Sequence, residues 1–216
     1  MHQTDQCAEQ SVTERGNPAK PQGEAGVQML ARMNQSHAAV TRWGISFLML
    51  KPDSRVLDIG CGGGAALGLM AQTVTRGHLT GVDYSPVSVA EAEKYNREAV
   101  AAGRMEILSG NVSALPFPDA SFDRISTVES FYFWPDPAAN LREVRRVLAE
   151  NGCFVLIADI HGAAALTPHE LENIRKYGLY NPDPETFRAL LTQAGFSDVQ
   201  IHLREGTSWI CVSGRA

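Results

Sequence analysis

Two acids set beside a glycine cluster are the residues of this chain best suited to chemistry. The run Val56-Leu57-Asp58-Ile59-Gly60-Cys61-Gly62-Gly63-Gly64 places a carboxylate two residues before its first glycine, and a second acid follows in Gly81-Val82-Asp83-Tyr84-Ser85. Apolar residues running into glycines predict a buried strand that ends in a tight turn and opens a helix. Glycine permits positive φ and lets backbone approach a ligand closely. A crossover of this kind after a parallel strand is a nucleotide-sized binding site.

The glycines alone leave the nucleotide open. Gly60, Gly62 and Ala65 fit G-x-G-x-x-A, and Asp83 follows about 20 residues on, a pattern that admits NAD and hence an NAD-dependent oxidoreductase. Asp58 weighs against it. A diphosphate at the helix N-terminus would face this carboxylate, and like charges repel. S-adenosylmethionine carries no phosphate; it has an ammonium, a sulfonium and one carboxylate. An acid at the strand tip suits its cationic methionine end, and Asp83 at the next strand tip can accept both ribose hydroxyls. The plainer role for Asp83 is a helix cap or turn acid, but its place at a strand end before Tyr84-Ser85-Pro86 favours the ribose.

The elements that must hold these residues alternate. Strands are predicted at about 55–59, 78–82, 105–109, 124–127, 153–158, 198–203 and 208–213, with helices over about 65–75, 86–101, 136–149 and 184–194. Strands separated by helices imply a parallel sheet covered on both faces. The last two strands, joined by a short turn at Glu205-Gly206, must be antiparallel neighbours. Residues 1–24 are rich in Gln, Glu, Gly, Pro and Ser, and a mobile tail is expected there. Residues 25–50 show helical periodicity, with Val27, Leu30, Met33, His37 and Val40 among the recurring positions.

Bulk properties bound the partners. The 216 residues fit one domain, placed at 51–216 behind that helical cap, and a net charge of −5 argues against sequence-independent phosphate binding. Cys7, Cys61, Cys153 and Cys211 are too scattered for metal-ligand spacing and read as reduced thiols of a cytoplasmic protein. No stretch is long and apolar enough to span a bilayer, and the N-terminus has no signal-peptide core. The expected partner is a small molecule, with no nucleic acid, membrane or metal.

Taken together, VLDIGCGGG at 56–64, GVDYS at 81–85, GNVSALPFPDASFDRI at 110–125, EVRRVLAENGCFVL at 143–156 and PETFRALLTQAGF at 184–196 make the chain resemble the class I S-adenosylmethionine-dependent methyltransferases. The likeness is to their small-molecule group (methyltransferase type 11), which includes the quinone-biosynthesis C-methyltransferases. It implies a three-layer α/β/α, Rossmann-like domain with a seven-stranded sheet of order 3-2-1-4-5-7-6, the last strand antiparallel, and an N-terminal helical cap. It implies methyl transfer to a small molecule, giving S-adenosylhomocysteine; a non-catalytic module binding the same cofactor is the rival from another class. Asp58, Gly60, Cys61 and Gly62 would hold the methionine end, Asp83 and Tyr84 the ribose, Asn111 and Val112 the adenine, and Val128 and Glu129 the methionine amine. The family usually has Asp where this chain has Asn111, whose amide oxygen still accepts a hydrogen bond.

Methyl transfer from a sulfonium needs alignment and exclusion of water more than it needs a base. No obligatory catalytic motif is visible. The resemblance places 33–37 and Trp43-Gly44 over the cofactor mouth as a lid, which makes His37 a candidate base, although packing on a helix face is its plainer role. Aromatic residues 131–134 follow strand four, where ligands bind. Tyr132 is the candidate to face the pocket, with Phe131, Phe133 and Trp134 as candidates for core anchors. His161, Tyr177 and Tyr180 are further candidates to border the acceptor, within an insertion at 159–183. The acceptor and its reacting atom (oxygen, nitrogen, carbon or sulfur) are left open by the residues, as is the oligomeric state.

Overall fold

The computed structural model describes residues 12–216. Among the described residues, 12–16 are helical and precede α1 (Gly23–Ser36) and α2 (Ala38–Ile45). The alternating region comprises β1 (Arg55–Ile59), α3 (Ala65–Met70), β2 (His78–Asp83), α4 (Pro86–Tyr95), α5 (Arg97–Ala101), β3 (Met105–Ser109), β4 (Phe122–Val128), α6 (Pro137–Val147) and β5 (Leu148–Ala158). It continues through α7 (Pro168–Tyr177), α8 (Pro184–Gln193), β6 (Ser197–Leu203) and β7 (Ile210–Arg215).

Four helices start in the same way. Ser85, Asp136, Thr167 and Asp183 each accept a backbone N–H from the first turn through a side-chain oxygen, and each is followed by proline. A short oxygen-bearing side chain satisfies an orphan donor, and proline tolerates the first helical position because its missing N–H would have no partner there. Thr167 and Glu170 add a reciprocal capping box, and Gly178 closes α7 in the left-handed region. These signals make α7 the organised centre of the 159–183 insertion.

The seven strands form one sheet of order β3-β2-β1-β4-β5-β7-β6, as expected. The β1, β2, β3, β4 and β5 pairings are parallel, and β7 runs antiparallel to both β5 and β6. Strands β1 and β2 are buried along nearly their whole length, as a parallel sheet covered on two faces requires. One apolar cluster, including Phe131, Leu141, Phe154 and Phe187, fills one side of the sheet; another, including Leu48, Leu67, Met70 and Val155, fills the other. The parallel order leaves the carboxyl ends of β1, β2, β4 and β5 side by side, so the side chains that follow them face one region.

The boundary of the expected tail moves. Residues 12–24 are not loose: Gly16 and Pro21 are buried, and α1 begins at Gly23. The Ser85 hydroxyl donates to the carbonyl of Pro21 and the Tyr84 hydroxyl to that of Ala19. Low apolar content misled the expectation because this segment is held by hydrogen bonds and prolines instead. Residues 1–11 of the expected tail, and Cys7 with them, lie outside the described residues.

Helix α2 packs so closely on β5 that a Cβ at Gly44 would stand 2.5 Å from the Ile157 side chain. Gly44→Val is therefore expected to destabilise the fold by about 1–3 kcal/mol, read as a lower denaturant midpoint. An unchanged midpoint would show that the cap does not bear on the sheet.

Candidate functional site

The glycine turn is held from below. The Val82 carbonyl accepts from the N–H groups of both Gly60 (2.8 Å) and Cys61 (3.1 Å). Asp83 Oδ2 accepts from Gly62 N–H at 3.0 Å, and Oδ1 accepts from Ser85 N–H at 2.9 Å. Gly60, Gly62 and Gly64 all adopt positive φ, at 71°, 51° and 78°, a backbone region in which side chains are strained. A Cβ at Gly60 would lie 2.0 Å from the Ser130 hydroxyl oxygen, whereas one at Gly62 would meet only Leu30, at 3.7 Å. Gly60 is thus fixed by protein packing and Gly62 by conformation and the open space beside it.

A cavity of about 310 Å³ opens over this turn. Every expected cofactor residue lines it: Asp58, Gly60, Cys61, Gly62, Asp83, Tyr84, Asn111, Val112, Val128 and Glu129. Asn111 Oδ1 already accepts from Ser113 N–H at 2.9 Å, which shapes the loop after β3 and leaves one lone pair of that oxygen for a ligand. Pro18, Ala19 and Pro21 of the N-terminal segment form part of the opposite wall. The two edge acids are buried. Burial lifts the Asp58 carboxyl to about 7; its hydrogen bond from the Ser126 hydroxyl (2.7 Å) opposes the rise, and the charge of Asp83 adds to it. Burial likewise raises Asp83, against the hydrogen bonds it accepts.

A second cavity, of about 600 Å³, shares Pro18, Met33, His37, Glu129 and Phe133 with the first. Its far wall comes from α7 and includes His169, Asn173 and Tyr177. Glu129 occupies the left-handed region at φ 53° directly after β4. Its carboxylate accepts a hydrogen bond from the Tyr132 hydroxyl, which also lies 3.4 Å from Asp159 Oδ1. Burial, with the neighbouring Asp159 charge, pushes Glu129 well above the carboxylate range, and burial with both carboxylates pushes Tyr132 up. His37 sits where α1 turns into α2; burial lowers it, Asp159 opposes that and Arg32 reinforces it.

Several expectations change here. Tyr132 faces the second cavity rather than the first, and Phe133, a candidate anchor, lines both; Phe131 and Trp134 are core residues, Trp134 also lining the first cavity. Trp43 and Gly44 do not line either cavity: Trp43 packs on Phe47 and Trp209, and Gly44 on Ile157, because α2 has turned down onto the sheet. Met33, Asn34 and His37 do line the first cavity. Tyr177 borders the second, while Tyr180 packs at a tilt against Phe131 and His161 is buried outside it. The dispersed histidines predict no metal centre, yet the fold brings donor atoms of His37, Glu129 and Asp159 within 4.8 Å of one another. Asp159 and Arg32 are the residues that sequence reading missed. The signal for Asp159 was its place one residue beyond β5, beside Glu129 one residue beyond β4.

Residues 57–156 match the model of the methyltransferase domain family. The chain contains a class I S-adenosylmethionine-dependent methyltransferase domain. It is 31% identical, over 72% of its length, to 2-methyl-6-phytyl-1,4-hydroquinone methyltransferase 1 of Oryza sativa subsp. japonica, and spans 44% of that relative. It is 32% identical to an O-methyltransferase of Aspergillus nomiae, over 68% of this chain and 65% of the relative. A methyltransferase structure from Aquifex aeolicus superposes with a TM-score of 0.69 at 18% identity, covering 88% of this chain and 97% of that one, which shows the shared fold.

Asp83→Ala is expected to weaken S-adenosylhomocysteine binding about ten- to a hundredfold, because two hydrogen bonds to hydroxyls are each worth roughly 0.5–1.5 kcal/mol. Calorimetry showing unchanged affinity would remove Asp83 from the ribose site. Removing residues 1–22 strips one wall from the cofactor cavity, so it should weaken binding as well; a truncated protein with full affinity would reduce that wall to a bystander.

Proposed function

We propose that this chain transfers a methyl group from S-adenosylmethionine to a small molecule held in the second cavity. The observation that carries the reading is the pair of buried acids, Asp58 and Asp83, lining one cavity above a clasped glycine turn. Two carboxylates there repel a diphosphate and favour a ligand that presents a cation at one acid and hydroxyls at the other. The named activities of the relatives, on a hydroquinone in the plant enzyme and through oxygen in the fungal one, support a small organic acceptor.

When bound, the cofactor supplies an activated methyl on a sulfonium. The chain's own residues then position the partners. Asp58 attracts the methionine end, Asp83 fixes the ribose, and the backbone around Gly60 and Gly62 leaves room for the ligand. Phe133 and Met33 stand between the cavities and keep water from the line of transfer. An acceptor entering from the α7 side would meet the first cavity at Met33, His37, Glu129 and Phe133, which line both cavities, and a bound cofactor would supply its methyl group there. Alignment of this kind is the main source of rate.

S-adenosylmethionine should raise the unfolding temperature in proportion to the logarithm of its concentration, and NAD should not. A shift with NAD alone would overturn the reading. Asp58 adds a pH signature. Its carboxyl titrates near 7 in the free protein, and a cation favours the ionised form. Affinity for S-adenosylmethionine should therefore rise with pH below 7, by at most about tenfold per unit, and level off above it. Asp58→Asn should flatten that slope; a slope that persists in the variant would assign the proton elsewhere. Formation of S-adenosylhomocysteine across a panel of hydroxylated aromatic acceptors tests the transfer itself, and binding without turnover on any of them would favour a non-catalytic module.

A further inference from the structure

We infer that His37, Glu129 and Asp159 form a divalent-cation site at the junction of the two cavities, and that an oxygen of the methyl acceptor completes its coordination. The first half stands on geometry alone; the second rests on the proposed transfer reaction. The three residues come from separate elements: the turn between α1 and α2, the end of β4 and the end of β5. Only the folded chain assembles them, and one donor atom from each lies within 4.8 Å of the others. Donors bound to one ion at about 2.0–2.2 Å stand up to roughly 4.4 Å apart, so a small side-chain rotation seats a cation among them.

A second observation points to a missing partner. Glu129 Oε1 is shut off from solvent and takes no hydrogen bond, although buried polar atoms are almost always satisfied. Glu129 and Asp159 are also half-buried neighbours, and ionising both would set like charges side by side, a cost that a cation or a proton relieves. A divalent ion cancels both carboxylates and leaves the site neutral. The arginine and the lysine that line the second cavity have other partners: Arg32 Nη2 donates to the Thr13 hydroxyl and Lys176 Nζ to the Glu14 carboxylate.

Tyr132 supports the arrangement as a positioning residue. Its hydroxyl donates to Glu129 and sits 3.4 Å from Asp159 Oδ1, which fixes the two carboxylates relative to each other. One imidazole nitrogen and two carboxylate oxygens suit manganese, iron or zinc, and leave coordination positions open. Those positions face the second cavity, since all three residues line it. An acceptor that reaches the ion through a hydroxyl or carbonyl oxygen would be held at the boundary where Glu129 and His37 also touch the cofactor cavity. The acceptor class is therefore a small molecule with an oxygen donor beside its reacting atom.

The test titrates the full chain with Mn²⁺ and follows the free ion by electron paramagnetic resonance. S-adenosylhomocysteine binding is measured in parallel by calorimetry. The wild type should bind one Mn²⁺, and Asp159→Asn and His37→Gln should each weaken it by about tenfold or more. Asp159→Asn should keep its affinity for S-adenosylhomocysteine, because Asp159 lies outside the cofactor cavity, and this also shows that the variant is folded. Acetohydroxamate, a bidentate oxygen donor, should change the spectrum of the bound ion. Absence of Mn²⁺ binding by the wild type, or binding that both variants retain, overturns the cation site. A bound ion whose spectrum ignores acetohydroxamate overturns the oxygen-donor acceptor. Loss of S-adenosylhomocysteine binding by the wild type would strike the proposed function instead and leave the Mn²⁺ result standing.

Discussion

The end of β2 holds the glycine turn, and the site depends on that attachment. A single carbonyl, of Val82, takes two N–H groups from the turn, and the next side chain, Asp83, takes a third. Three hydrogen bonds therefore fix the left-handed backbone of Gly60 and Gly62 against the neighbouring strand. The same carboxylate also organises the start of α4 through Ser85 N–H, and Ser85 in turn caps that helix and ties down the N-terminal segment at Pro21. One acid thus couples the cavity floor, a flanking helix and a wall. Its cost is burial of a charge, which the hydrogen bonds offset in part.

A parallel sheet makes such clustering natural. All its strands point the same way, so residues just past their ends collect at one edge. Asp58 and Ser126 are paired across β1 and β4, and their hydrogen bond follows from that register. Glu129 and Asp159 follow β4 and β5, which pair up to Val128 and Ile157, and the Ile157 carbonyl accepts from Glu129 N–H at 3.0 Å. Register alone brings the two carboxylates together. The left-handed backbone at Glu129, worth roughly 1–3 kcal/mol of strain in a non-glycine residue, is held by this hydrogen bond and by Tyr132.

How much of this was legible in the sequence varied with the physical signal. The sheet order and the floor of the cofactor cavity were readable, because buried strands, glycine turns and Ser-Pro starts are local patterns. The walls contributed by distant segments were less so. Residues 12–22 look like a tail because they carry few large apolar groups, yet Ala19 and Pro21 are anchored through backbone carbonyls, which leave no trace in side-chain composition. Trp43 and Phe133 exchanged the roles expected of them because a helix's facing depends on a bend: the chain turns at His37, which sends α2 onto β5 and leaves α1 over the cavity. Asp159 was invisible as chemistry because its significance lies in the neighbouring strand's Glu129, a pairing that only register reveals. The helix in the insertion had a complete signature in Thr167-Pro168, Glu170 and Gly178, and reading it would have placed Tyr177 on an ordered wall.

The two cavities also differ in what bounds them. The first is bounded by strand ends and backbone, which hold their shape whatever ligand arrives. The second is bounded by α7, which has no fully buried residue and so rests on the domain through partial contacts. Elements with little buried apolar surface open at lower free energy than the core. In the proposed reaction an acceptor would enter and a product would leave by displacing α7, without loosening the clasp at β2. The residues common to both cavities, Met33, His37, Glu129 and Phe133 among them, are anchored on the rigid side, at α1 and at the end of β4. The junction between the cavities is accordingly set by α1 and the end of β4 rather than by α7.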